Sequence, residues 1–200
     1  MEVIPPILLL DAYARGLFPM AMEDGEIGWF SPERRGILPL EKRRWPHGVR
    51  RDVRRAAWEI RVDSAFAEVM RACAQREETW IDEVIWRSYV GLHELGQAHS
   101  VEVWLDGELV GGLYGVHLGA AFFGESMFHR VSGASKVALV VLLETLREAG
   151  FELVDTQWIT PHLRQFGARE IPRIEYRDRL RRALGREVRF PQFPARVEQL

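Results

Sequence analysis

The tightest constraint in this chain is a turn-punctuated run between Ser100 and Thr156. Ser100-Val101-Glu102-Val103-Trp104-Leu105 alternates with period two, as a half-buried strand does. Asp106-Gly107 follows, a pair suited to the two positive φ angles of a type I′ turn, and Leu109 to Val116 returns as the second arm of a hairpin. A third strand, Ala120 to Met127, starts after Gly119. Ser132 to Ala149 then reads as a long helix closed by Gly150, and Phe151 to Thr156 as another strand. Three consecutive strands, a helix and a further strand predict an α+β fold on a mixed sheet.

The flanks extend this pattern. Residues 24–48 are dense in breakers (Gly25, Gly28, Pro32, Gly36, Pro39, Pro46, Gly48) and read as loops with short strands at the seam between a small N-terminal part and the main domain. Val49 to Trp58 reads as a basic helix and Glu59 to Val62 as a short strand. Asp63 or Ser64 is placed to cap a helix that carries Phe66, Val69, Met70 and Cys73 on one face. A second helix starts near Asp82, with Gly96 just past its end. Thr160-Pro161 has N-cap and N1 chemistry for a short helix ending at Gly167, and Pro172 opens a last, arginine-rich helix to about Leu184.

Composition limits the classes of function. The 200 residues are 47% hydrophobic and 28% charged, enough to build a core without staples. A single cysteine, Cys73, excludes an internal disulfide and suits a reducing compartment; its place on an apolar helix face makes it a core residue. No basic, apolar leader opens the chain, and the longest apolar run, Val137 to Leu143, is far short of the roughly 20 residues a spanning helix needs. Net charge is -2, which taken alone speaks against a nucleic-acid partner, but the charge is segregated. Residues 33–55 carry nine basic and three acidic side chains, a net +6; residues 169–189 are +4, and residues 56–168 are -8. All but two of the 27 basic residues are arginines, suited to planar contacts with phosphate. The segments read either as an RNA-facing surface or as solvated helix faces.

Familiar catalytic signatures are missing. There is no phosphate-binding Gly-rich loop ending in Lys, no Gly-x-Ser-x-Gly elbow, and no zinc-like spacing among the six histidines. Three features remain. Glycines 111, 112 and 115 interrupt one strand, which marks a bulge or the close approach of a ligand. Glu125 puts a carboxylate in an apolar strand. Asp155 and Gln157, at the end of a later strand, fall on one face by alternation. Arg130 to Ser135 also approximates the Arg/Gln-x-x-Gly-x-Gly/Ala loop with which N-acetyltransferases hold a cofactor pyrophosphate.

Tyr13-Ala14-Arg15-Gly16-Leu17-Phe18-Pro19, Trp29-Phe30-Ser31-Pro32, the run from Leu92 to Trp104, Leu109 to Val116, Phe123-Gly124-Glu125-Ser126-Met127-Phe128, Ala134-Ser135-Lys136 and Gly167 to Arg173 together resemble the bacterial leucyl/phenylalanyl-tRNA–protein transferases. The resemblance spans nearly the whole chain. It implies a small N-terminal domain, set here at residues 1–40, and a GNAT (acetyltransferase)-like domain at residues 41–200. It implies transfer of Leu or Phe, with Met a further donor, from Leu-tRNA or Phe-tRNA to the α-amine of proteins or peptides with N-terminal Arg or Lys, marking them for N-end-rule degradation. It further implies a cytoplasmic monomer without cofactor or metal.

By the same resemblance Asp155 and Gln157 match the family's catalytic pair. Gln157 would position amine and carbonyl, while Asp155 orients it, holds the amine or takes its proton. Leu113, Met127, Leu139, Leu142, Leu146 and Val154 match the amino-acid pocket, and Trp80 the tryptophan beside the terminal adenosine. Glu125 would order the site or read the acceptor's basic side chain. Arg34, Arg35, Lys42, Arg43, Arg44, Arg50, Arg51, Arg54 and Arg55 would hold the acceptor arm. Met20, Phe30, Leu113, Phe123 and Thr156 depart from the family pattern around this site. Two other readings stay open: an acyl-coenzyme A-dependent N-acyltransferase, favoured by the loop at Arg130 to Ser135, and a tRNA-binding protein without catalysis.

Overall fold

A computed structural model describes residues 3–41, 45–54 and 57–192. The elements in chain order are α1 (Pro6–Ala14), β1 (Phe18–Ala21), β2 (Ile27–Phe30), β3 (Arg34–Leu38), α2 (His47–Arg54), β4 (Glu59–Val62), α3 (Phe66–Ala74) and α4 (Glu83–Glu94). They continue with β5 (Ala98–Leu105), β6 (Glu108–Leu118), β7 (Ala121–His129), α5 (Ala134–Ala149), β8 (Leu153–Gln157), α6 (Pro161–Arg164), β9 (Arg169–Pro172) and α7 (Arg173–Leu184).

The expected hairpin is β5–β6, and its turn residues Asp106 and Gly107 take φ +52° and +81°. It supplies the second and third strands of a seven-stranded sheet of order β4-β5-β6-β7-β8-β3-β9. All pairings are antiparallel except β7 with β8, which α5 connects as a crossover. The sheet is mixed, as expected. The alternation feeds two cores. In β7, Ala121 and Phe123 join a cluster with Leu9, Tyr13, Val69 and Ile85, whereas Phe122 joins one with Val49, Val137 and Leu163. The first cluster therefore lies under α1, α3, α4 and α7, the second under α2, α5 and α6.

Two local expectations are corrected. β3 was assigned to the N-terminal domain, but it is an interior strand of the main sheet, hydrogen-bonded between β8 and β9. Residues 1–40 therefore include a strand of the seven-stranded sheet. Neither Asp63 nor Ser64 caps α3: Ala65 stands at the N-cap position, and Glu102 from β5 accepts its N–H at 2.7 Å. Asp63 instead adopts φ +57° and accepts from the Ser100 N–H at 2.8 Å, with His99 Nδ1 2.7 Å from its other oxygen. The remaining caps agree. Asp82 accepts from the Ile85 N–H, Thr160 accepts from the Leu163 N–H, and Gly150 closes α5 in the left-handed region.

The β6 glycines answer to the protein itself. A Cβ at Gly111 would stand 2.5 Å from that of Ala134, so this glycine lets α5 start against the sheet. Gly115 sits beside the bulge between β6 and β7, where a Cβ would meet the Phe123 carbonyl at 2.2 Å.

Candidate active site

β3 and β8 slip register between Gly36 and Ile37, so that Ile37 faces Asp155 and Gly36 faces Gln157. Gln157 takes φ +56°, a conformation uncommon outside glycine. The pair expected from alternation does come together, but through the backbone: the Gln157 N–H donates to Asp155 Oδ1 at 2.8 Å. Oδ1 also accepts from Arg35 Nε at 2.8 Å. Oδ2 accepts from Arg35 Nη2 at 2.7 Å and from the Tyr176 hydroxyl at 2.6 Å. These four donors fill the roughly four lone-pair sites of a carboxylate. Asp155 is fully buried and does not line the adjoining cavity.

Arg35 is the main correction to the expected RNA-facing set. Its side chain is only 1% exposed and lies between the rings of Phe18 and Tyr176, 4.8 and 4.6 Å from their centroids. Nη1 donates to the Gly16 carbonyl at 3.0 Å. Burial opposes its charge, but the ion pair with Asp155 prevails and holds the pKa above the usual arginine value. Neighbouring Arg34 points outward and pairs with Glu170 at 3.5 Å.

A cavity of about 470 Å³ opens beside Gln157. Of the residues matched to the amino-acid pocket, Leu113, Met127, Leu139, Leu142 and Val154 line it, as does Trp80. Leu146 does not; it is wholly buried in the core beneath α5, one turn beyond the cavity wall. Glu125 also lines the cavity and is its only carboxylate among the described residues. Its Oε1 accepts from the Tyr13 hydroxyl at 2.7 Å and from Gln157 Nε2 at 3.3 Å, and its Oε2 lies 3.4 Å from the Tyr89 hydroxyl. The two tyrosine hydroxyls also bond each other. Burial pushes the Glu125 carboxyl up to about 8, against the opposing hydrogen bond from Tyr13.

Sequence reasoning missed Phe18, Leu38, Trp158 and His162 in the cavity wall, and Tyr89 and Tyr176 behind it. Trp158 and His162 directly follow the Asp155/Gln157 pair, a proximity that could have flagged them. Tyr89 and Tyr176 gave no such signal, because each looks like a core residue of an amphipathic helix.

A second, open hollow of about 820 Å³ lies between α2 and the start of α5. Arg50, Arg51, Arg54 and Lys136 line it, and the buried Nε of Arg50 has no hydrogen-bond partner among the described residues. Asp52 pairs with Lys136 at 2.7 Å. Asp52 also packs on Gly133, where an added Cβ would meet it at 3.1 Å. Arg130 is turned back onto the Leu109 carbonyl at 2.8 Å. The Asp52 carboxylate of α2 thus packs against the loop at Arg130 to Ser135. Lys42, Arg43, Arg44 and Arg55 lie outside the described residues. Cys73 is buried, and burial pushes its thiol up to about 12.

A family profile described as leucyl/phenylalanyl-tRNA protein transferase matches residues 37–181, and one for the N-terminal domain of that family matches residues 4–33. Proteins named leucyl/phenylalanyl-tRNA–protein transferase are similar over most of both chains. The one from Paramagnetospirillum magneticum is 58% identical, covering 95% of this chain and 94% of its own. The one from Herpetosiphon aurantiacus is 54% identical, covering 90% and 95%. Among solved structures, the C-terminal domain of a putative lysylphosphatidylglycerol synthetase from Agrobacterium fabrum shares the fold at TM-score 0.50 and 15% identity, over 84% of this chain and 63% of that one. The chain belongs to the leucyl/phenylalanyl-tRNA–protein transferase family and is an aminoacyltransferase.

Proposed function

We propose that the protein transfers Leu or Phe, and also Met, from aminoacyl-tRNA to the α-amine of proteins and peptides beginning with Arg or Lys. The product enters N-end-rule degradation in the cytoplasm, and the main domain is acetyltransferase-like in plan. The observation that carries this reading is the Gln157 carboxamide beside Glu125 at an apolar cavity of about 470 Å³.

The acceptor amine attacks the ester carbonyl. The new C–N bond forms, the C–O bond to the terminal ribose breaks, and the amine proton ends on the released hydroxyl. A free α-amine titrates near 8, so part of it is neutral at physiological pH, and the ester is already activated. Holding the two in contact can supply as much as about 7–11 kcal/mol. Gln157 cannot act as a base; its carboxamide orients the reacting groups. Asp155 has its lone pairs occupied and positions Gln157 instead of taking the proton.

Leu113, Leu139, Leu142 and Val154 receive the unbranched-at-Cβ side chains of Leu, Phe and Met. Each methylene contributes only about 1–3 kcal/mol of discrimination, so preference is graded. Trp80 offers a stacking face to the terminal adenosine. Glu125 meets the cationic end of the acceptor. Arg34, Arg50, Arg51 and Arg54 hold phosphates of the acceptor arm, and Lys42, Arg43, Arg44 and Arg55 belong to the same basic segment.

The test is labelled Leu-tRNA with an Arg-led peptide, with and without ribonuclease. Ribonuclease-sensitive labelling of the peptide is expected, with Phe-tRNA also active and Ile-tRNA and Val-tRNA at least ten-fold weaker. Binding of tRNA without transfer would leave a non-catalytic binding protein. Transfer from acyl-coenzyme A that resists ribonuclease would leave an acyltransferase of the other kind.

A further inference from the structure

We propose that Arg35 and Tyr176 are positioning residues for peptide transfer, acting through Asp155 to hold the Gln157 carboxamide at the reacting groups. The inference rests on the reading above and adds two residues to it, from β3 and from α7.

Asp155 is held at four points: two by the planar fork of Arg35, one by the Tyr176 hydroxyl, and one by the backbone N–H of Gln157. The fourth bond is made by the residue whose carboxamide faces the cavity, at a backbone conformation that a non-glycine residue adopts only when its surroundings enforce it. The carboxylate is therefore the peg on which the left-handed turn at Gln157 is hung. Its own position is set from outside β8. Arg35 is fixed by the Gly16 carbonyl and by the rings of Phe18 and Tyr176. Tyr176 is fixed by burial on α7, and its ring edge lies against Gly16, where an added Cβ would meet it at 2.8 Å. Neither side chain lines the cavity. A lone Asp–Gln hydrogen bond would let the carboxamide swing. Anchoring its partner from two further elements removes that freedom, and a misplacement of about 1 Å at a reacting group can cost about a hundred-fold in rate.

The test compares wild type with Tyr176→Phe, Arg35→Lys and Asp155→Asn, and with Tyr176→Phe combined with Asp155→Asn. Steady-state transfer from Leu-tRNA to an Arg-led peptide is measured at a temperature where every variant remains folded by circular dichroism. Tyr176→Phe keeps the ring and loses one hydrogen bond. It is expected to lower kcat by about ten-fold while both KM values stay within about two-fold, because the loss falls on the transition state. Arg35→Lys, which keeps the charge but not the fork, is expected to lower kcat further. In the combined variant Tyr176→Phe is expected to add less than about two-fold to the loss caused by Asp155→Asn, since both act on one peg. Unchanged kcat in Tyr176→Phe, a rise in KM alone, or fully multiplicative losses would each overturn the proposal and leave the clamp as a purely structural ion pair. If wild type transfers nothing, the functional reading itself fails, and that outcome is separate from the variant comparison.

Discussion

At the residue scale, chemistry is decided by which carboxylate has free lone pairs. Asp155 and Glu125 lie close in space, yet one is saturated by donors and faces the interior while the other lines the cavity. Glu125 holds its proton to about pH 8 in the folded protein, whereas the unfolded carboxyl loses it near 4.3. The folded state therefore binds more protons between those values, and this residue's contribution to stability falls as pH rises through that window. Thermal denaturation of Glu125→Gln should show a flatter dependence of Tm on pH between 5 and 8, with a gain over wild type that grows toward pH 8. Parallel Tm curves for the two proteins would contradict the raised pKa. An acceptor's guanidinium or ammonium beside Glu125 favours the charged carboxylate, so transfer to an Arg-led peptide should fall more in the same variant than transfer to an Ala-led peptide. Sequence showed that Glu125 was out of place in an apolar strand. It did not show Tyr13 and Tyr89, which lie 112 and 36 residues away and become its partners only on folding.

At the scale of elements, the site depends on α5 seating closely on β6. Ser135, Leu139 and Leu142 share one face of α5 and line the cavity, so any lift of this helix opens the pocket. Gly111→Ala puts a Cβ 2.5 Å from that of Ala134, between two backbones that have little room to part. It should cost about 1–3 kcal/mol in urea denaturation and weaken discrimination between Leu-tRNA and Ile-tRNA. A variant with wild-type stability would show that α5 docks loosely on β6. The hairpin, α4, α5 and the cap of α6 were legible because turn and cap chemistry is local. α1 was not, because its Ile7-Leu8-Leu9-Leu10 run offers no polar face to set a period. β3 and β9 were not, because short strands flanked by arginine and glycine carry no alternation, and their hydrogen bonds go to partners far along the chain.

At the scale of the whole molecule, the segregated charge divides into surfaces of different kinds. Two of the five arginines of α7 pair within the helix, Arg179 with Glu175 and Arg181 with Asp178, the pattern of a solvated face. Those of α2 converge on the hollow beside α5, where Arg50 keeps a donor without a partner among the described residues. Transfer should weaken steeply between about 50 and 200 mM salt, as expected when phosphates are neutralised. Arg50→Gln with Arg51→Gln should flatten the log–log salt slope by roughly two, while Arg179→Gln on α7 leaves it unchanged. A slope that ignores the α2 substitutions would return this surface to ordinary solvation. The sequence by itself determined the mixed sheet, its β5–β6 hairpin, the starts of α4 and α6, the end of α5 and the family, since these follow from local periodicity and from motifs read along the chain. Only the tertiary structure decided that Arg35 is an internal anchor instead of an RNA contact, that Asp155 is saturated, and that Leu146 lies outside the cavity. The physical reason is the same each time. Burial and hydrogen-bond saturation are properties of neighbours, and here the neighbours of one carboxylate come from β3, β8 and α7, brought together only when the sheet closes.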